Sequence, residues 1–252
     1  RGVVMSKVTQ QFTGQVVLVT GASSGIGLAT VREFSKKGAK VILAARRKDK
    51  LNSMADKLST DFNSSNLVIP TDVRNNEQVK HMVDQAIERF NKLDVVVNNA
   101  GVDLGSSVES LEMSKYQNLI ETNINGTYYT TKESLPYLRE SSGNLIFMGS
   151  FAGKYPRSFN PVYAATKWWV RGFAHSLEAQ VGESGIGITV VNPSEVRTEI
   201  GSDRGQSLKE KYVPGEIIEP KEVADVITFA AAHEHSTVSE LDIYRRDKLA
   251  QF

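Results

Sequence analysis

VVLVTGASSGIGLATVREFSKK, residues 16–37, sets a pattern that the rest of the chain repeats. Its first five residues are apolar and mostly β-branched, a composition suited to a strand buried on both faces. TGASSGIG places Gly21, Gly25 and Gly27 in a turn, and the 3.6-residue spacing of 26–37 predicts a helix. Strand-like runs recur as KVILAA (40–45), NLVIP (66–70), DVVVN (94–98), NLIFMG (144–149), GITVVN (187–192) and VSELDIY (238–244). Helical periods over 49–59, 76–91, 115–139, 162–181 and 221–232 fall between them. Seven strands alternating with amphipathic helices predict an α/β fold: a doubly wound, Rossmann-type, mostly parallel seven-stranded sheet with helices on both faces.

The 252 residues are 40% hydrophobic and 23% charged, with 30 Lys and Arg against 29 acids. A chain of this length closes as one domain with a sizeable core. Balanced charge gives no field to draw nucleic acid or a membrane surface, and no apolar stretch approaches the ~18 residues needed to span a bilayer. The absence of cysteine excludes disulfide and thiolate chemistry, and a reducing, cytoplasmic setting is expected. Residues 1–13 read as a tag remnant or flexible extension, and 14–252 as a single catalytic domain. Within it, the polar, Gly-bearing stretch 194–219 is either a lid over a site or a long surface loop. The spacing in His233-Glu234-His235 does not put both histidines on one helical face, so no metal site is expected.

Glycines in the first strand-to-helix turn let the backbone approach a pyrophosphate, whose charge meets the unpaired amides of the helix N-terminus. Gly21, Ser23, Ser24, Gly25, Ile26 and Gly27 are the candidate contacts. Where folds of this kind that bind NAD present an acid at the end of the second strand, this chain reads KVILAARRK (40–48). Ala45 stands at the carboxylate position, with Arg46 and Arg47 after it. Two cations at a helix start oppose its dipole, and a 2′-phosphate would reverse that cost, so NADP(H) is the expected cofactor. A pair of solvated arginines is the plainer alternative. Asp72 is placed to bond an adenine amine beside Val73, or else to cap the helix near Asn75. NNAG, residues 98–101, puts Asn99, Ala100 and Gly101 at the end of the fourth strand, where small residues admit a flat ring or ribose; both asparagines could equally be structural.

Ser150 stands thirteen residues before Tyr163, and Lys167 follows one helical turn later. A ketone that accepts hydride develops negative charge on oxygen and needs a donor aimed at it and a proton delivered to it. Ser150 can donate and Tyr163 can deliver. Free Tyr titrates near pH ~10, and an ammonium within about 5 Å favours its phenolate. Lys167, at i+4 on one helical face, is placed to do this and to bond a ribose.

TGASSGIG, NNAG, the serine and YAATK, in this order and spacing, resemble the short-chain dehydrogenase/reductase family over roughly residues 14–250. The resemblance implies a doubly wound fold, cofactor at the carboxyl ends of the strands, and hydride transfer between nicotinamide and a carbonyl or alcohol of a small molecule. It adds Asn123 to Ser150, Tyr163 and Lys167 as a catalytic set, with Asn123 holding a water that connects Lys167 to solvent. It also implies Pro193, Val196 and Thr198 as cofactor contacts, and a homodimer or homotetramer built on the helix that carries Trp168 and Trp169. An NAD-linked alcohol dehydrogenase and a non-catalytic sensor are the alternatives.

Two departures stand out. Ser194 replaces the Gly usual after the sixth strand, which excludes a comfortable positive φ there. Ser24 replaces the basic residue that many NADP-using members carry before the second Gly. The polar tail TVSELDIYRRDKLAQF is closer to that of NADP-dependent 3-hydroxy acid (serine-type) dehydrogenases. A carboxylate substrate would need a cation, and Lys154, Arg157, Arg197 and Arg204 flank the site in sequence, where solvation explains any one of them equally.

Overall fold

The computed structural model describes residues 10–104, 106–201 and 205–251. Seven strands, β1 (Val16–Thr20), β2 (Lys40–Ala45), β3 (Asn66–Pro70), β4 (Val95–Asn98), β5 (Asn144–Met148), β6 (Gly187–Pro193) and β7 (Glu240–Ile243), pair in the order 3-2-1-4-5-6-7. Every pairing is parallel, so the sheet is wholly rather than mostly parallel. Period-two alternation divides the strand residues between two cores. Val17 and Val19 face α1 (Gly25–Lys36) and α8 (Pro220–Ala231), whereas Val16 and Leu18 face α3 (Asn76–Phe90) and α6 (Pro161–Val181). The remaining long helices are α2 (Lys48–Phe62), α4 (Met113–Ile120) and α5 (Gly126–Ser141).

The strand order reverses between β1 and β4, and a crevice opens there at the carboxyl ends, where ligands of such sheets bind. The single helix expected over 115–139 is instead α4 and α5 joined by a π-helical turn, Glu121–Asn125. That extra residue per turn shifts the register so that Thr122 and Asn123 point inward and are buried.

The expected extension over 1–13 is not all peripheral. Phe12 is fully buried and meets the Phe34 ring edge-on at 4.9 Å, while its N–H donates to Lys37 O at 3.0 Å, so this part of the chain belongs to the core around α1. Residues 1–9 lie outside the described residues. The stretch 194–219 contains a one-turn helix, α7 (Leu208–Lys211), and is pinned at both ends by the Val196–Ile218 bridge and an Arg197–Glu219 ion pair of 2.7 Å.

The edge strand β7 is held by charge. Glu240 accepts two bonds from Arg171 of α6, at 2.8 and 3.0 Å, and one from Asn192 of β6 at 2.6 Å. The Arg171 guanidinium, foremost, holds the Glu240 carboxyl down to about 2 against burial, with Lys154 adding to the effect. A depressed carboxyl stabilises the fold above its ordinary value of 4.5 and loses that contribution as pH falls toward 2. E240Q should therefore cost about 2–3 kcal/mol at pH 7, with the gap to wild type narrowing below pH ~4.5, as measured by urea unfolding across pH.

Candidate active site

The turn after β1 is built around Thr20. Its hydroxyl accepts from the N–H groups of Asn99 and Ala100, both at 3.1 Å, and donates to Val97 O at 3.3 Å. Asn99 returns a bond from Nδ2 to Thr20 O at 2.8 Å, which locks the ends of β1 and β4 together. Asn98 turns the other way, to Thr131 Oγ1 of α5 at 3.0 Å. Gly21 takes φ +68°, open to glycine at little cost. A Cβ at Gly27 would lie 2.4 Å from Gly21 O, so glycine is required there for the turn to close on the helix. No side chain caps α1 and its first turn holds no acid, leaving its leading amides available to an anion.

A cavity of about 720 Å³ runs from this turn across the sheet ends. It brings together every candidate catalytic and cofactor-binding residue of the sequence except Gly27, which packs behind the turn, and Asn123. Asn123 is fully buried; its Oδ1 accepts from Val102 N–H at 2.9 Å, and its Nδ2 donates to Val102 O at 2.9 Å and to Thr166 Oγ1 of α6 at 3.1 Å. With its side chain engaged in this way it ties α6 to the segment that follows β4.

Ser150 leaves β5 and its Oγ accepts from Ala152 N–H at 3.1 Å, so its own proton remains to be donated. Its N–H donates to Asn192 Oδ1 at 3.2 Å, and the Asn192 amide is oriented by Glu240 and Asp242. Sequence reading missed Asn192, because the partners that orient it arrive from a strand fifty residues on. Lys167 is buried, its Nζ 5.9 Å from the Tyr163 ring centre and donating to Met148 O at 2.7 Å. Burial pushes its ammonium down from 10.5 to about 8, with Asp103 acting the other way.

At the end of β2, Arg47 folds onto the glycine turn and donates to the hydroxyls of Ser23 and Ser24, both at 2.9 Å. It thereby reaches the position where Ser24 lacks a cation of its own. Glu199, another residue the sequence reading missed, meets Arg47 at 3.3 Å and Lys50 at 3.8 Å. Asp72 lines the cavity with its carboxylate clasped by Arg74 at 2.6 Å, which holds it below the usual carboxylate range. It does not cap the helix; Asn75 does, accepting from Gln78 N–H at 3.1 Å.

Ser194 has no positive φ, and its hydroxyl accepts from Arg245 N–H at 2.9 Å. The substitution thus anchors the chain end, which turns back so that Lys248, also unforeseen, lines the cavity and pairs with Glu195. Of the flanking cations, Lys154 is held by Asp242 at 2.7 Å and Arg197 by Glu219, so neither serves the cavity; Arg157 lines it, and Arg204 lies outside the described residues.

The model of the short chain dehydrogenase family matches residues 15–209. The chain belongs to this family. An uncharacterized oxidoreductase of Staphylococcus aureus is 35% identical over 233 residues, covering 92% of this chain and 97% of its own. A closed form of serine dehydrogenase complexed with NADP+ superposes with a TM-score of 0.84 at 29% identity, covering 91% of this chain and 94% of that one. The 3-ketoacyl-(acyl-carrier-protein) reductase of Brucella melitensis, complexed with NADH, gives 0.82 at 25% identity, covering 92% and 97%. As a short-chain dehydrogenase the protein is an oxidoreductase acting at CH–OH and C=O groups. No helix among the described residues is long and apolar enough to cross a membrane, and no His, Asp and Glu group among them could hold a metal ion.

The Lys167 ammonium destabilises the fold fully below pH ~8, and the penalty is relieved between 8 and 10.5, where the unfolded chain alone remains protonated. K167M should thus raise unfolding free energy by about 2–3 kcal/mol at pH 7, and by little near pH 10.5, while abolishing turnover; paired denaturation and activity assays check both.

Proposed function

We propose that this protein is an NADP(H)-dependent oxidoreductase that interconverts a small-molecule carbonyl and its secondary alcohol. The observation that carries the reading is the convergence of Ser150, Tyr163 and Lys167 on the cavity that also holds the glycine turn and Arg47. The uncapped α1 amides, with Gly21, Ser23, Ser24, Gly25 and Ile26, suit the pyrophosphate, and Asp72 and Val73 the adenine. Asn99, Ala100, Gly101, Pro193, Val196, Thr198, Tyr163 and Lys167 suit the nicotinamide half. A bound nicotinamide supplies or accepts the hydride.

The chain's own residues manage the oxygen. Ser150 donates a hydrogen bond to it, stabilising the charge that grows there in reduction. Tyr163 delivers the proton, and Lys167 makes the phenolate left behind less costly. Asn192 and Asn123 act through others: one fixes the backbone of Ser150, the other the helix that carries Lys167. The intact set argues against a sensor, for which none of these groups is needed.

The neighbours include complexes with both NADP+ and NADH, so the choice rests on this chain. Ala45 in place of an acid, and Arg46 and Arg47 beside it, favour the 2′-phosphate. Glu199 against Arg47 favours the second reading, an NAD-linked enzyme, since it already satisfies part of that charge. A 3-hydroxy acid is the narrower substrate candidate, supported by the likeness to serine dehydrogenase. Assembly as a dimer or tetramer is supported by the aromatic surface of α5 and α6, where Trp168 and Tyr128 are 47% and 45% exposed. A cytoplasmic setting remains part of the proposal.

A panel of ketones, aldehydes and oxo acids followed at the NADPH absorbance tests the activity. Turnover in wild type and a loss of at least 1000-fold in Y163F is expected; equal rates in both would sink the mechanism. For the cofactor, wild type should bind NADPH at least tenfold tighter than NADH by fluorescence titration. R47L should erase that preference and E199Q should widen it several-fold. Tighter binding of NADH by wild type would decide for the NAD-linked reading.

A further inference from the structure

Between Ser150 and Tyr163 the chain carries a cation that the mechanism does not use. Arg157 lines the cavity with a side chain 17% exposed, and its guanidinium lies 4.5 Å from the ring centre of Phe159 and 5.5 Å from that of Phe151. Phe151 directly follows Ser150, and Phe159 precedes α6 by two residues, so the two rings hold the guanidinium on the segment that joins the proton-handling groups. Among the described residues Arg157 makes no hydrogen bond, and the nearest carboxylate oxygen, on Glu195, is 4.0 Å away. An arginine this enclosed normally satisfies some of its five donors within the protein. Here they face the cavity.

The surrounding charges say what they await. Glu195 is drawn to Lys248, whose ammonium also lies 4.7 Å from the ring centre of Phe151, and to Arg245 at 3.8 Å. Arg245 also pairs with the exposed Asp247 at 3.0 Å. Among the described residues Glu195 thus has three cations within 4.0 Å, of which Arg157 is the farthest and lies beside the substrate end of the cavity. A single carboxylate matches the planar fork of arginine; a phosphate dianion would bring more negative charge against Glu195. A neutral ligand would leave the donors of Arg157 unmatched.

We propose that Arg157 is the anion-recognition residue of the substrate site and binds the carboxylate of a short oxo or hydroxy acid, while Lys248 and Arg245 hold Glu195 aside. This rests on the redox reading above and narrows it to a substrate class. The aromatic clamp fixes the guanidinium before the acid arrives, so the carboxylate orients the reacting carbon toward Ser150 and Tyr163. The C-terminal residues thus shape the specificity of a site whose chemistry lies far earlier in the chain.

The test compares short 3-oxo acids with their methyl esters, in wild type, R157L and R157K at saturating NADPH. Wild type should favour the acid. R157L should lose about 100-fold or more in kcat/KM on the acid, mainly through KM, and less than about threefold on the ester, with R157K between them because it keeps charge without the fork. Loss on acid and ester alike, or a wild-type preference for the ester, would overturn the assignment while leaving the redox reading intact. If wild type oxidises NADPH with no substrate, the redox reading fails, and calorimetry of the NADP+-loaded protein with 3-hydroxybutyrate and its amide decides the subsite. Binding of the acid that R157L loses supports it; no binding, or binding that R157L retains, overturns it. An unchanged NADP+ affinity in R157L guards against misfolding as the cause.

Discussion

The bonds that Thr20 and Asn99 make across the ends of β1 and β4 are the constraint on which the site depends. Parallel strands that part company here leave backbone groups with no ladder to join, and buried groups of that kind must find partners. One hydroxyl meets two amides and a carbonyl, and one side-chain amide closes the gap from the other side. Because these bonds hold the crevice, the glycine turn can stay open to a phosphate. Because the crevice is held, the chain segments leaving β5 and β6 converge on the same edge of the sheet.

A second constraint is the burial of charge. Lys167 is buried in a place that disfavours its ammonium, 5.9 Å from the ring centre of Tyr163, the group that gains from the charge under the proposed mechanism. The Glu240 carboxylate shows the opposite case, a charge stabilised by Arg171 and put to structural use. Through Asn192 it fixes the backbone of Ser150, so the edge strand and that serine share one network.

The strands were legible because each is an unbroken apolar run, and their ends shift by only a residue or two between pattern and structure. The π-helical turn was not, since its period departs from the helix on either side by one inward-facing residue. Ser150, Tyr163, Lys167 and the glycine turn were readable because each needs a particular residue type at a short spacing. Gly27 and Asn123 were readable as positions, but their packing was not: a Cβ at Gly27 would strike Gly21, and the Asn123 side chain bonds Thr166 of α6. Phe12 was set aside with the chain start because nothing local shows that its ring meets Phe34.

By itself the sequence determined the class of fold, and it singled out the glycine turn and three candidate residues for handling a proton. These are short-range properties, written in periodicity and in spacings of a few residues. Only the tertiary structure decided which cations count. Lys154 and Arg197 are neutralised by acids 88 and 22 residues away, while the nearest carboxylate oxygen to Arg157 is 4.0 Å off, and Lys248 enters from the chain end. Glu199 comes to Arg47 from 152 residues on. The physical reason is that charge acts through space, and a pattern along the chain carries no distance between residues that folding brings together.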